Sequence, residues 1–66
     1  MVVRVNGVTR DLPDRSTIEQ LLDLFKLAKK SVVFELNQKV VERNSYSVTE
    51  LKEGDALEIV HFVGGG

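Results

Sequence analysis

Apolar and polar residues alternate near both ends of the chain and recur every three to four positions between them. Val2-Val3-Arg4-Val5 is a β-branched run with Val3 and Val5 on one face of a strand and Arg4 on the other. Asn6-Gly7 follows, and Val8-Thr9-Arg10-Asp11-Leu12 returns. Residues 2–12 are therefore predicted to form a hairpin whose two turn residues both take positive φ. Pro13 has no N–H to donate and ends the pairing.

Ser16-Thr17-Ile18-Glu19-Gln20 predicts a helix start. Either hydroxyl can cap it, Thr17 being favoured, with Glu19 or Gln20 closing a capping box. Ile18, Leu21, Leu22, Phe25 and Ala28 then fall on one stripe, so the helix is expected to run on to Lys29-Lys30. Ser31–Leu36 reads as a third strand, with Phe34 and Leu36 on one face and Val33 and Glu35 on the other. Asn37-Gln38-Lys39 turns the chain into a short strand at Val40-Val41. Residues 43–52 are polar and irregular, with Tyr46, Val48 and Leu51 as expected inward anchors. After a turn at Glu53-Gly54-Asp55, residues 56–62 form the last strand, Leu57 and Ile59 facing one way and Glu58, Val60 and Phe62 the other.

The order β-β-α-β-β-β implies an α+β, two-layer fold: a mixed sheet of about five strands packed on one helix. The first and last strands are expected side by side at the sheet centre. One helix covers one face, which leaves the other open.

Composition narrows the function classes. A chain of 66 residues is one domain with a thin core and little room for a deep pocket. Nine basic and ten acidic residues leave a net charge of −1, without the basic stripe of a nucleic-acid binder. The Lys29-Lys30 pair suits a helix C-terminus. There is no cysteine, so disulfides, thiolate metal sites and thiol nucleophiles are excluded. No apolar run approaches the roughly 20 residues of a membrane span, and no secretion signal is evident, so the cytoplasm is the expected location. His61 is the single histidine and has no nucleophile or metal set to serve. Tyr46 reads as a packing residue with its hydroxyl at the surface. No pair of carboxylates is spaced as an acid/base couple. A catalyst is thus the least favoured class.

The sequence closes on Glu58-Ile59-Val60-His61-Phe62-Val63-Gly64-Gly65-Gly66. Glycine-rich ends are commonly just frayed. Here three glycines follow an apolar strand directly, without the charged or serine-rich filler of a flexible linker. Residues 1–63 are expected to form the domain, and 64–66 a flexible tail ending in a free carboxylate. Without side chains, such a tail can enter a channel little wider than backbone and reach at most about 10 Å into it. Ordering it costs on the order of 1–2 kcal/mol per residue, so docking of the domain must offset that.

Length, the helix from Thr17, the Glu-Gly-Asp turn and these last nine residues together resemble the ThiS family, the sulfur carriers of thiamine biosynthesis, over the whole chain. A bare Gly-Gly end is shared with ubiquitin-like modifiers and the molybdopterin sulfur carrier. The resemblance implies a β-grasp (ubiquitin-like) fold and a carrier cycle. Gly66 would be the covalently modified residue, adenylated and then converted to a thiocarboxylate, with Gly64 and Gly65 giving access. The partners it implies are an E1-like adenylyltransferase of the ThiF type, a thiazole synthase of the ThiG type, and a cysteine desulfurase or other sulfur donor. No cofactor is expected on the chain; ATP is used by the activating enzyme. Neither nucleic acid nor membrane is an expected partner, and the free protein is expected to be a monomer. In such a sheet Val33, Val60 and Phe62 would form a partner-binding patch on the open face, extended by Val2 and rimmed by Glu35, Glu58 and Arg4. Three other possibilities stay open: a carrier for molybdopterin synthesis, a modifier conjugated to lysines, and a plain β-grasp binding or regulatory module.

Overall fold

Asn6 and Gly7 take φ of 50° and 81°, the two positive values of a tight two-residue hairpin turn. In the computed structural model, which describes residues 1–62, this turn joins β1 (Val2–Val5) to β2 (Val8–Asp11), with Val5 opposite Val8 and Val3 opposite Arg10. Expectations for residues 63–66, including the domain boundary and the three glycines, lie outside the described residues.

The capping box forms as expected. The Gln20 N–H donates to Thr17 Oγ1 at 3.2 Å, and the Thr17 N–H donates to Gln20 Oε1 at 2.9 Å. The helix, α1, spans Ile18–Leu24. Its remaining first-turn donors are met from the 43–52 loop: Ile18 N–H reaches the Thr49 carbonyl and Glu19 N–H the Tyr46 carbonyl. That loop is thereby held across the helix start, where Tyr46 and Leu51 are buried.

The helix stops a turn earlier than its apolar spacing predicts. Lys26 adopts φ 56°, Lys26 N–H bonds to the Asp23 carbonyl and Leu27 N–H to the Leu22 carbonyl. These are the paired bonds of a Schellman stop, here built on lysine in place of the usual glycine. Ala28 is exposed, and Lys29–Ser31 forms a separate 3₁₀ turn.

The remaining strands are β3 (Val32–Leu36), β4 (Lys39–Val40) and β5 (Ala56–His61), with a 3₁₀ turn at Arg43–Ser45. The sheet order is β2-β1-β5-β3-β4. As expected, the first and last strands lie side by side near its centre, and they run parallel, Arg4 beside Ala56 and Val5 beside Leu57. The Asn6 side chain continues this ladder where β1 turns away: its Oδ1 accepts from Ile59 N–H at 2.7 Å. β3 and β5 are antiparallel, with Val32, Phe34 and Leu36 opposite His61, Ile59 and Leu57.

Val3, Val5, Val32, Phe34 and Leu57 point from the sheet onto Ile18, Leu21 and Leu22 of the helix. Tyr46 packs edge-on against Phe34, with ring centroids 5.2 Å apart and planes at 87°. Its hydroxyl is buried with the ring and finds no partner among the described residues, contrary to the surface position expected for it. Val48, expected inside, is 76% exposed: it lies in the turn after Ser45 and points away from the helix.

A second two-residue turn joins β3 to β4 with φ of 51° at Asn37 and 73° at Gln38. It copies the first turn, with glutamine where the first has glycine. A left-handed non-glycine residue costs about 1–2 kcal/mol, part of which glycine returns as lost chain entropy. Gln38→Gly is therefore expected to stabilise the fold by about 0.5–1 kcal/mol in urea denaturation; a lower midpoint would show that the Gln38 side chain contributes more than its backbone costs.

Candidate functional site

The register that buries Phe34 and Leu57 turns the alternate residues of β3 and β5 outward, onto the sheet face that the helix does not cover. There Val33 lies directly opposite Val60 and Glu35 directly opposite Glu58. Val33 is half-buried, Val60 is 44% exposed and Phe62 50%. The three expected patch residues are therefore together, at the end of the sheet where β5 finishes. The Phe62 N–H donates to the Ser31 carbonyl at 2.9 Å, so pairing continues one residue past β5. This bond places the last described residue beside the start of β3, four positions before Gly66 in the sequence.

Two corrections apply to the patch. Val2 does not extend it. Val2 is 43% exposed, but β1 places it beside residue 54 of the parallel strand, about 20 Å of strand from Val60 at roughly 3.3 Å per residue. Val40 does extend it: it sits opposite Glu35 on the same face and is 66% exposed. The signal for Val40 was available, since a two-residue turn at Asn37-Gln38 fixes the pairing of Leu36 with Lys39 and of Glu35 with Val40. Of the expected rim, Glu35 and Glu58 adjoin the valines, and Arg4, beside Ala56, lines a shallow hollow with Glu58.

Positive charge collects at the exit end, where Lys29, Lys30 and Arg43 stand near Ser31. Arg43 donates through Nη2 to the Lys30 carbonyl at 3.4 Å, and Lys29 is 3.3 Å from a Glu19 carboxylate oxygen. At the opposite end of the sheet the Met1 amine donates to the Leu12 carbonyl at 2.7 Å and pairs with Asp14 and Asp11. The hydrogen bond to Asp14, first, and that to Asp11 raise its pKa above the ordinary amine value, against the opposing effect of desolvation.

Among the described residues no group of three or more histidines and carboxylates is placed to hold a metal ion, and no helix is long and apolar enough to cross a membrane. His61 projects on the helix side of the sheet, opposite Val32, and shares a shallow hollow with Val8, Arg10 and Phe25. Among the described residues the open face presents the exposed side chains of Val40, Val60 and Phe62 beside half-buried Val33. Gly64, Gly65 and Gly66, the expected reactive end, lie outside the described residues.

Comparison with known proteins bears on what this surface serves. The ThiS family model matches residues 3–66. The sulfur carrier protein ThiS of Bacillus subtilis is 43% identical over 53 residues, which cover 80% of this chain and 80% of the relative. A thiazole synthase from Magnetococcus marinus is 38% identical over 66 residues, the whole of this chain but 20% of the relative, so the chain spans about a fifth of that protein's length. The crystal structure of the thiamine biosynthesis protein ThiS from Geobacter metallireducens superposes with a TM-score of 0.85 at 36% identity, covering 100% of both chains. The five-stranded mixed sheet on a single helix is thus the β-grasp fold of these proteins, and the chain belongs to the ThiS family, the sulfur carriers of thiamine biosynthesis.

Proposed function

We propose that this chain is a carrier and co-substrate, not a catalyst, and that it holds sulfur as a thiocarboxylate on Gly66. The observation that carries the reading is the family match running through the glycines to residue 66, on a chain whose last described residue, Phe62, is only four positions earlier. Four extended residues reach at most about 14 Å. A domain docked through the Val33–Val60–Phe62 face could therefore deliver its last residue into a neighbouring active site.

The chemistry follows from what the sequence offers. With no cysteine in the chain, an acyl group is the available attachment point for sulfur. A carboxylate resists substitution until it has a good leaving group. An E1-like adenylyltransferase of the ThiF type would supply one. A Gly66 carboxylate oxygen attacks the α-phosphorus of ATP and pyrophosphate leaves. Sulfide then attacks the acyl carbon directly, or the outer sulfur of a persulfide made by a cysteine desulfurase does so and a thiol reduces the resulting acyl disulfide by two electrons. In either case AMP departs with the C–O bonding pair. The resulting thiocarboxylate is a good nucleophile at neutral pH, suited to passing sulfur to a ThiG-type thiazole synthase. Gly64 and Gly65 serve access to both sites, and 64–66 act as a tail on the domain. ATP is consumed by the partner and no cofactor stays on the carrier. The cytoplasm is the compartment that holds these partners, and the free chain is read as a monomer.

Thiazole synthesis can be tested against the molybdopterin and modifier alternatives by its product. Sulfur-loaded protein should support thiazole formation with a ThiG-type synthase. Sulfur transfer to a molybdopterin synthase subunit only, or isopeptide adducts in lysate, would assign the chain elsewhere.

A second reading is favoured by one observation, the match to a fifth of a thiazole synthase. The 66 residues would then be the carrier portion of a longer polypeptide. The intact mass of the protein from its own cells separates the two readings.

Docking is tested at Phe62. A large apolar side chain on an interface commonly contributes tenfold or more to affinity. Phe62→Asp is expected to weaken binding to the adenylyltransferase by about tenfold or more by calorimetry, with little change in melting temperature because the ring is outside the core. Unchanged affinity would remove Phe62 from the interface.

A further inference from the structure

Five of the ten carboxylates, Asp23, Glu35, Glu42, Glu50 and Glu58, have neither a cation nor a hydrogen-bond donor among the described residues, and of these only Glu35 and Glu58 oppose each other across paired strands. Asp11 and Asp14 face the Met1 amine, Glu19 faces Lys29, Glu53 accepts from the Val2 N–H, and Asp55 accepts from Lys52 N–H and the Asn37 amide. Glu35 and Glu58 oppose each other directly across two central strands. Neither has a cation within 4.0 Å or a hydrogen-bond donor among the described residues. Like charges at directly opposed sheet positions destabilise the fold. Glu35 is also half-buried, which adds to the cost of its charge. Val33–Val60 lies on one side of the pair, and Val40 is beside Glu35.

We propose that this pair is a receptor for an arginine of the activating enzyme, inserted between the two carboxylates while the valines and Phe62 take an apolar surface around it. This rests on the carrier reading above and names the chemistry of its docking partner. Two carboxylates side by side match the planar, multiply donating guanidinium better than the point charge of lysine. The same charge repels a second copy of this chain, nucleic acid and anionic lipid, so it selects among occupants of an otherwise apolar face. Repulsion that costs stability in the free carrier is relieved in the complex.

The test measures affinity for a ThiF-type adenylyltransferase together with melting temperature, for the wild type, Glu35→Gln, Glu58→Gln and the double variant. Each single variant should melt at or above the wild-type temperature. The double variant should bind about tenfold or more weakly, with a shallower salt dependence. Affinity within about twofold of wild type would overturn the proposal. So would weaker binding accompanied by a lower melting temperature, which would make the pair structural. Wild-type self-association that the double variant loses would assign the face to a second copy, and that too would overturn it. Sulfur loading of the wild type, measured alongside, keeps the two claims apart. An unloaded wild type sinks the carrier reading, whereas a loaded wild type matched by an equally well bound and loaded double variant sinks only the arginine receptor.

Discussion

Deleting Gly66, or adding one residue after it in a protein that ends there, is expected to abolish sulfur loading while leaving the fold intact. Adenylation acts on one carboxylate at one depth in the partner's site. Losing a residue withdraws that group by about 3.5 Å, more than a near-attack geometry tolerates. Adding one turns the reacting carboxylate into an amide and places the new one beyond the site. Fold integrity should hold because Phe62, the last described residue bonded to the sheet, is four positions away. Melting temperature and circular dichroism check the fold, and intact mass after the loading reaction checks the chemistry. Loading that survives either change would mean that another group carries the sulfur.

Phe34→Ala should have the largest effect on stability. Phe34 has no exposed surface, stands at the centre of β3, and holds Tyr46 edge-on at 5.2 Å. Removing a buried phenylalanine ring costs about 3–5 kcal/mol when the surroundings cannot collapse into the space. At the usual 0.05–0.15 kcal/mol per residue, a chain of this length has a total stability of roughly 3–10 kcal/mol. The substitution is therefore expected to leave a substantial fraction unfolded at 37 °C. Urea denaturation gives the loss directly, and a change below about 1 kcal/mol would mean that the core repacks around the cavity.

Much of the architecture was legible because short-range chemistry and long-range packing agree in this chain. Asn6-Gly7 specified its turn, Thr17 and Gln20 their capping box, and period-two alternation the buried faces of β1, β3 and β5. The helix end was not legible. Phe25 and Leu27 keep the apolar spacing going, and both pack partly against the core. What stops the helix is Lys26 in a left-handed conformation, for which lysine is no signal. Val48 was misplaced because a lone valine in a polar stretch carries no periodicity, and only the turn after Ser45 sets its direction. The candidate site divides in the same way. Val33, Val60 and Phe62 share a face because strand alternation requires it, whereas Val40 needed the register of the second hairpin and Val2 needed the parallel offset between β1 and β5. The opposed glutamates became visible only with the pairing of β3 and β5, since no local pattern links positions 35 and 58.

Carriage of sulfur on the terminal acyl group is tested most directly by intact-protein mass spectrometry. The 66-residue chain is incubated with ATP, a ThiF-type adenylyltransferase and a sulfide source, and its C-terminal fragment is then sequenced. A mass gain equal to one oxygen-to-sulfur exchange, located on Gly66 and absent without ATP, is the expected result. An unchanged mass under conditions where the adenylyltransferase is active, or sulfur found on any other residue, would contradict it.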